Sequence, residues 1–324
     1  MHSVEYYQEK FNEHLTSRVN VREPSTLYKP MSYILGLGGK RLRPVLTLLT
    51  TELFGGRYQD AFDAAMAVEY FHNFSLIHDD IMDAAPLRRG KTTVHQKWDV
   101  NTGILSGDAM LIEAYRYLES YSAPVFKEVT MLFSKTAMEV CEGQQYDVDF
   151  ETREDVEVAE YLKMIEYKTA VLVGASMRMG AIIAGATASA QKDIYNFGLN
   201  LGIAFQLQDD YLDAFGDPKT FGKQVGGDII ENKKTYLYLK SIEMADRIQS
   251  RELRDLFSIQ PGNTDKKVKR VKDIYEQSGA SGATKNAIVL YTKKAFSHLN
   301  TLAVSDKNKD VLRQFGEGLM GRKV

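Results

Sequence analysis

The chain has 324 residues, with 41 Lys and Arg against 43 Asp and Glu, a formal charge of −2. That balance excludes a protein built to coat nucleic acid, which would carry a basic surplus. With 44% hydrophobic and 26% charged residues, the chain is not disordered. The single cysteine, Cys141, excludes an internal disulfide framework or a Cys-rich zinc site and is expected to be a small buried residue.

In chain order, residues 1–10 carry Glu5 and Glu9 and lack an apolar core, so they do not read as a secretory signal, and a cytoplasmic protein is expected. Gly38-Gly39 precedes the basic cluster Lys40-Arg41-Leu42-Arg43. A helix is predicted from Pro44 to Phe54, with Lys40 and Arg43 three apart on one side of its start. From Phe62 to Met82 the apolar residues Ala65, Met66, Val68, Phe71, Phe74, Leu76, Ile77 and Ile81 cover more than one helical face, which predicts a helix buried in a bundle. Further helices are predicted over Asp108–Ser120, Val156–Tyr167, Leu172–Ala184 and Asp193–Ala214, the last stopped by Phe215-Gly216-Asp217-Pro218. The stretch from Thr169 to Ala190 has Arg178 as its only charge. Rich in Ala and Gly with a charge near its centre, it fits close-packed internal helices better than a lipid span.

Beyond Asn232 the pattern stays helical but more charged, with Val268–Gln277, Ala283–Leu299 and Lys307–Phe315 arranged around the turn Ser278-Gly279-Ala280. There are 7 prolines, no strand-period run, no low-complexity linker and no repeat of solenoid period. One all-α domain over residues 1–324 is expected.

Two acidic motifs carry the chemistry: Asp79-Asp80-Ile81-Met82-Asp83 and Asp209-Asp210-Tyr211-Leu212-Asp213. With 22 Asp in 324 residues, Asp-Asp-x-x-Asp should arise by chance roughly 0.1 times, so two copies are not accidental. Residues i and i+4 share a helical face, which pairs Asp79 with Asp83 and Asp209 with Asp213. Both motifs fall at the carbonyl end of apolar helices, where the macrodipole adds negative potential. Crowded carboxylates of this kind suit Mg²⁺, which keeps several waters and bridges to substrate phosphates.

Basic residues follow each motif: Arg88-Arg89 after the first, Lys223 and Lys233 after the second, with Lys168-Thr169 opening the small-residue helix. Arg offers a planar fork to phosphate oxygens and Lys a mobile point charge. His72 lies seven residues before Asp79 on the same helix. There is no Walker-type phosphate loop, no Ser/His/Asp ordering of a hydrolase and no Glu-flanked zinc pattern at His72 and His78.

These residues resemble the trans-isoprenyl diphosphate synthases, or polyprenyl synthetases. The motifs that match are Gly39-Lys40-x-x-Arg43-Pro44, Asp79 to Asp83 with Arg88-Arg89-Gly90, Gly143-Gln144-x-x-Asp147, Lys168-Thr169, and Phe205 to Asp213 with Gly222-Lys223 and Asp228 to Lys233. The resemblance implies an all-α, single-domain helical bundle of the isoprenoid synthase type, assembled as a homodimer, whose two aspartate clusters face each other. It implies Mg²⁺, about three ions with Mn²⁺ as a substitute, bound by Asp79, Asp83 and Asp209, and by Asp80, Asp210 and Asp213 directly or through water. By the same carry-over, Arg88, Lys168, Lys223 and Lys233 contact an allylic diphosphate, and Lys40, Arg43, His72 and Arg89 hold isopentenyl diphosphate. Thr169 and Gln206 lie near the developing allylic cation.

The implied activity is head-to-tail condensation of isopentenyl diphosphate with dimethylallyl, geranyl or farnesyl diphosphate, releasing pyrophosphate. Phe74, five residues before Asp79, is the implied floor of the product cavity, with Phe71 one turn deeper. A large floor and a short first motif point to geranylgeranyl or farnesyl diphosphate as product rather than a longer chain. A terpene cyclase would not need the Lys40, Arg43, His72 and Arg89 set, and a non-catalytic partner subunit would be expected to have lost an aspartate motif. The C-terminal Arg322-Lys323 only loosely resembles a closing basic tail.

Overall fold

The computed structural model of the protein describes residues 1–217, 225–259, 261 and 264–321. Lys223 and Arg322-Lys323 therefore lie outside the described residues. Helices dominate the element order: Val4–Arg18, Ser25–Gly36, Leu42–Leu53, Phe62–Met82, Val100–Leu118, Ala123–Thr152, Val158–Ile165, Val171–Ile183, Ala188–Phe215, Tyr236–Met244, Arg247–Phe257, Asp265–Gln277, Ala280–Thr301 and Asp306–Met320. The fold is all-α as expected. Among the described residues the only sheet is a hairpin of two-residue strands, Leu87–Arg88 paired antiparallel with Lys91–Thr92.

Contacts divide the chain into two compact units, each discontinuous in sequence. One comprises Met1–Ala137, Ala175–Tyr195 and Ala303–Asn308; the other comprises Met138–Gly174, Asn196–Leu302 and Lys309–Val324. In the first unit, Phe62–Met82 is buried around most of its circumference from Ala64 to Phe71. An amphipathic surface helix would show a stripe; this one shows a sleeve, as its all-round apolar sequence predicts. In the second unit, Phe150, Tyr161, Ile165, Leu207, Tyr211, Leu237, Leu253, Val271 and Tyr275 form a continuous core. That core fixes the second aspartate motif on one side and the turn after Gly227 on the other.

Three sequence expectations are corrected. The helix expected to open at Asp108 begins at Val100, capped by the Asp99 side chain, which accepts from the Thr102 amide. It runs through Gly107 because any side chain there would overlap the His78 ring; the glycine serves close packing, not a break. Lys40 precedes the helix that holds Arg43, since Leu42–Leu53 starts after a left-handed Arg41, so the two do not share a helical face. Cys141 is exposed. The register of Ala123–Thr152 turns the neighbouring Val140 and Gly143 inward and leaves Cys141 on the outer face.

Candidate active site

In the first unit the cations gather around one corner. Gly38 and Gly39, both at positive φ, lead into Arg41 at φ 51. Arg89 donates to the Gly38 carbonyl, and its guanidinium occupies the space a Cβ on Gly39 would need. The turn of the short hairpin places Arg89 there. Arg89 and Gly90 both have positive φ (53 and 72), the backbone of a two-residue hairpin turn of the primed type. For a non-glycine residue that conformation is a local strain, held by its surroundings.

Arg41 is buried and paired with Glu69, and it also donates to the Leu35 carbonyl. Glu69 accepts a further bond at 2.8 Å from the Asn73 amide. Arg43 is different. It lies 3.3 Å from the His72 Nε2, and among the described residues its buried Nε has no hydrogen-bond partner and no carboxylate bonds to it. Burial lowers its pKa, which Glu69 opposes. Burial and the neighbouring Arg43, Arg89, Arg88 and Arg41 hold His72 well below the usual imidazole range, so His72 is neutral near pH 7. Such a corner has positive charge and unspent donors, which is what a phosphate ligand supplies acceptors for. Lys40 is exposed beside it.

The first aspartate motif ends the helix Phe62–Met82. The Asp83 amide donates to the Asp79 carbonyl at 2.9 Å, and Ala84, at φ 48, turns the chain away. Asp80 is buried and bound bidentately by Arg88, whose Nε lies 2.9 and 2.8 Å from its two oxygens. Asp80 of the first motif is thus already paired with Arg88. Phe74 packs edge-on against His78 at 4.7 Å and against Phe71 at 5.5 Å, and Phe71 packs against Phe133 at 5.3 Å. Phe71 is fully buried, whereas Phe74 keeps 9% of its surface.

In the second unit Thr169, Gln206, Asp210 and Tyr161 form one hydrogen-bonded line. The Thr169 hydroxyl lies 3.3 Å from the Gln206 amide oxygen, the Gln206 amide nitrogen donates to Asp210 Oδ1 at 3.0 Å, and Tyr161 donates to Asp210 Oδ2. Both oxygens of buried Asp210 are therefore taken by side chains. Burial, then Asp209 and Asp213, push Asp210 up to about 7. Burial, then Asp210 and Asp213, push Asp228 up to about 8. Asp213 accepts from the Asp228 amide at 3.0 Å. Lys168 bonds Asp147 at 2.5 Å, and Lys233 lies 3.0 Å from Glu231. Lys168 and Thr169 sit in a single π-helical turn, Glu166–Ala170, not at a regular helix start; such turns recur at functional sites.

Residues 24–277 match the family model described as polyprenyl synthetase. The chain belongs to the polyprenyl synthetase family. The synthetase is 43% identical over 235 residues to a geranylgeranyl pyrophosphate synthase of Geoglobus acetivorans, covering 72% of this chain and 73% of the relative. It is 36% identical over 306 residues to a geranylgeranyl diphosphate synthase of Methanosarcina mazei, covering 94% and 92%. It superimposes with a TM-score of 0.96 and 56% identity, over 100% of both chains, on the crystal structure of a geranylgeranyl pyrophosphate synthase. It is a prenyltransferase with the short-chain synthases as its relatives.

Several residues of the synthetase escape motif reading. Asp147 was visible only as a motif position, and the structure makes it the partner of Lys168. Glu69, an acid inside an apolar helix, was a legible signal for a buried ion pair. Nothing local marks Tyr161 as the partner of Asp210, 49 residues away.

Proposed function

We propose that the protein condenses isopentenyl diphosphate head-to-tail with short allylic diphosphates, giving geranylgeranyl diphosphate, or farnesyl diphosphate, and pyrophosphate. The observation that carries this reading is Arg43. A half-buried guanidinium with an unpartnered Nε stands beside a neutral His72, while the nearby Glu69 is engaged by Arg41 and Asn73. A second diphosphate fits that corner, and a cyclase would have no use for it. Arg43, His72 and Arg89, with Lys40, would hold isopentenyl diphosphate.

Asp79, Asp83 and Asp209 would hold Mg²⁺, with Asp80, Asp210 and Asp213 as partners directly or through water. The donor set fits a hard cation, since every donor is a carboxylate oxygen. Among the described residues no three acidic, His or Cys side chains form a ready-made cage. Substrate phosphates and water would complete the coordination, as is usual for Mg²⁺. When bound, the ion supplies charge neutralisation to the departing pyrophosphate.

This chain's own residues do the rest. Arg88, Lys168 and Lys233, with Lys223, would grip the allylic diphosphate and favour its departure. Thr169 and Gln206, held in line with Asp210, would turn oxygen dipoles toward the developing allylic cation. The cation corner would fix the double bond of isopentenyl diphosphate along the line of attack. The C–O bond of the primer breaks, a C–C bond forms, and the proton lost afterwards passes to pyrophosphate, so no dedicated side-chain base is required. Exposed Leu105, Ile112 and Met131 on the helices Val100–Leu118 and Ala123–Thr152 support a homodimer. No described helix is long and apolar enough to cross a membrane.

The test is incubation of the purified protein with isopentenyl diphosphate, Mg²⁺ and each primer in turn, with the products sized by chromatography. Twenty- or fifteen-carbon diphosphates are expected. Failure to elongate any primer would overturn the reading.

A further inference from the structure

Lys267, in the helix Asp265–Gln277, is buried, and no carboxylate of the described residues pairs with it. Its ammonium donates to the side-chain oxygen of Asn232 and, at 3.0 Å, to the main-chain carbonyl of Ile259; the Phe257 ring centre is 5.6 Å away. The Asn232 amide reaches the same Ile259 carbonyl at 3.4 Å. A buried ammonium without a counter-ion is costly and is tolerated only where its hydrogen bonds are met.

What these bonds hold is a turn. Asn232 has φ 59, a left-handed conformation that is strained for most L-residues and less so for Asn. It follows the single helical turn Gly227–Ile230 and sends the chain back, so that the Lys233 amide donates to the Asp228 carbonyl at 2.9 Å. Asp228 in turn donates its amide to Asp213 of the second aspartate motif at 3.0 Å. Lys267, remote in sequence, is thus joined through Asn232 to the residue on either side of the turn that the chemistry uses.

We propose that Lys267 is a positioning residue: by gripping the Asn232 side chain it keeps that residue left-handed, and so sets where Lys233 meets the diphosphate of the allylic substrate. This rests on the role given to Lys233 above.

The test is a double-mutant cycle of Lys267→Met and Asn232→Gly, read by steady-state kinetics and by hydrogen exchange of the Lys233 amide. Lys267→Met should speed that exchange and raise KM for the allylic diphosphate about tenfold, the loss of one charge-assisted contact, while KM for isopentenyl diphosphate stays put. Glycine takes φ near 59 without a tether, so in the Asn232→Gly background the Lys267 substitution should add less than about twofold. Lys267→Arg, which keeps donors at the same place, should recover part of the loss. Equal rises in both KM values, additive effects, or unchanged exchange would overturn the inference. If Lys267→Met does not fold, Lys267→Gln serves the same comparison. If the parent protein elongates no primer, the functional reading falls, and the exchange of Lys233 alone decides whether the tether exists.

Discussion

Arg43 and Arg41 lie two residues apart and face opposite fates, one without a carboxylate partner among the described residues and one locked to Glu69. The difference sets what substitution should do. Arg43→Ala, and Lys40→Ala more mildly, should weaken use of isopentenyl diphosphate by about 1.5–3 kcal/mol, roughly 10- to 100-fold, with much smaller effects on primer binding. Initial-rate measurements varying each substrate separately would check this, and an equal loss for the primer would contradict the assignment. His72 offers a second handle. The folded state keeps it neutral while the unfolded chain protonates it near pH 6.5, so the unfolded state binds more protons and this residue's contribution to stability falls as pH drops below that value. Relative to His72→Gln, the parent protein should lose at most roughly 1.4 kcal/mol per pH unit between pH 6.5 and 5. Urea unfolding of both proteins at pH 7.5, 6.5 and 5.5 measures it; parallel curves would refute a buried neutral imidazole. Asp79→Ala and Asp209→Ala should leave the helical circular dichroism unchanged and remove most turnover, since clustered carboxylates at helix ends burden the fold rather than hold it. Near-normal turnover in both variants would rule out the metal assignment.

The helix Phe62–Met82 carries the largest share of the proposed site within a single element: His72, Phe74, Asp79 and Asp80 ride on it, and Asp83 caps its end. Phe74 lies five residues before Asp79, about 7.5 Å along the axis at 1.5 Å per residue. It keeps a little exposure where Phe71 has none, so Phe74 rather than Phe71 is the side chain a growing chain would meet. Phe74→Ala should shift the product to longer chains at a stability cost of about 3–5 kcal/mol. Product sizing of the folded variant checks it, and unchanged length would move the floor to Phe71 or to another helix. Most of this element was legible because an all-round apolar run has one stable solution, burial. The helices Val4–Arg18, Ser25–Gly36 and Ala123–Thr152 were not singled out. The apolar positions of Val4–Arg18 and Ala123–Thr152 are sparser, and Pro30 within Ser25–Gly36 reads locally as a break. The start of Val100–Leu118 was misplaced for a related reason: Gly107 has the local signature of a turn and the tertiary role of a packing notch.

For the molecule as a whole, the helices Val100–Leu118 and Ala123–Thr152 leave Leu105, Ile112 and Met131 at 60%, 60% and 65% exposure. Leu105 and Ile112 are seven residues apart and share a face. Apolar side chains that bare on two helices suit a partner surface, proposed above to be a second copy. Leu105→Glu with Ile112→Glu should lower the sedimentation mass toward that of one chain. A monomeric parent protein, or a variant that stays dimeric, would count against the homodimer.

The sequence by itself determined the helical class, the two carboxylate triplets, the cations that follow them and the family, because these depend on composition, periodicity and the order of short motifs. Pairings across the chain were decided only by tertiary structure: Arg88 with Asp80, Lys168 with Asp147, Tyr161 and Gln206 with Asp210, Lys267 with Asn232. Each joins side chains between 4 and 49 residues apart, and even where the spacing is short the choice among several equivalent carboxylates is made by burial. The same holds for Cys141 and Lys40. Whether a residue faces in or out is a matter of helix register and of what precedes the helix: the left-handed Arg41 sets Lys40 apart from the helix that opens at Leu42, which spacing alone does not reveal.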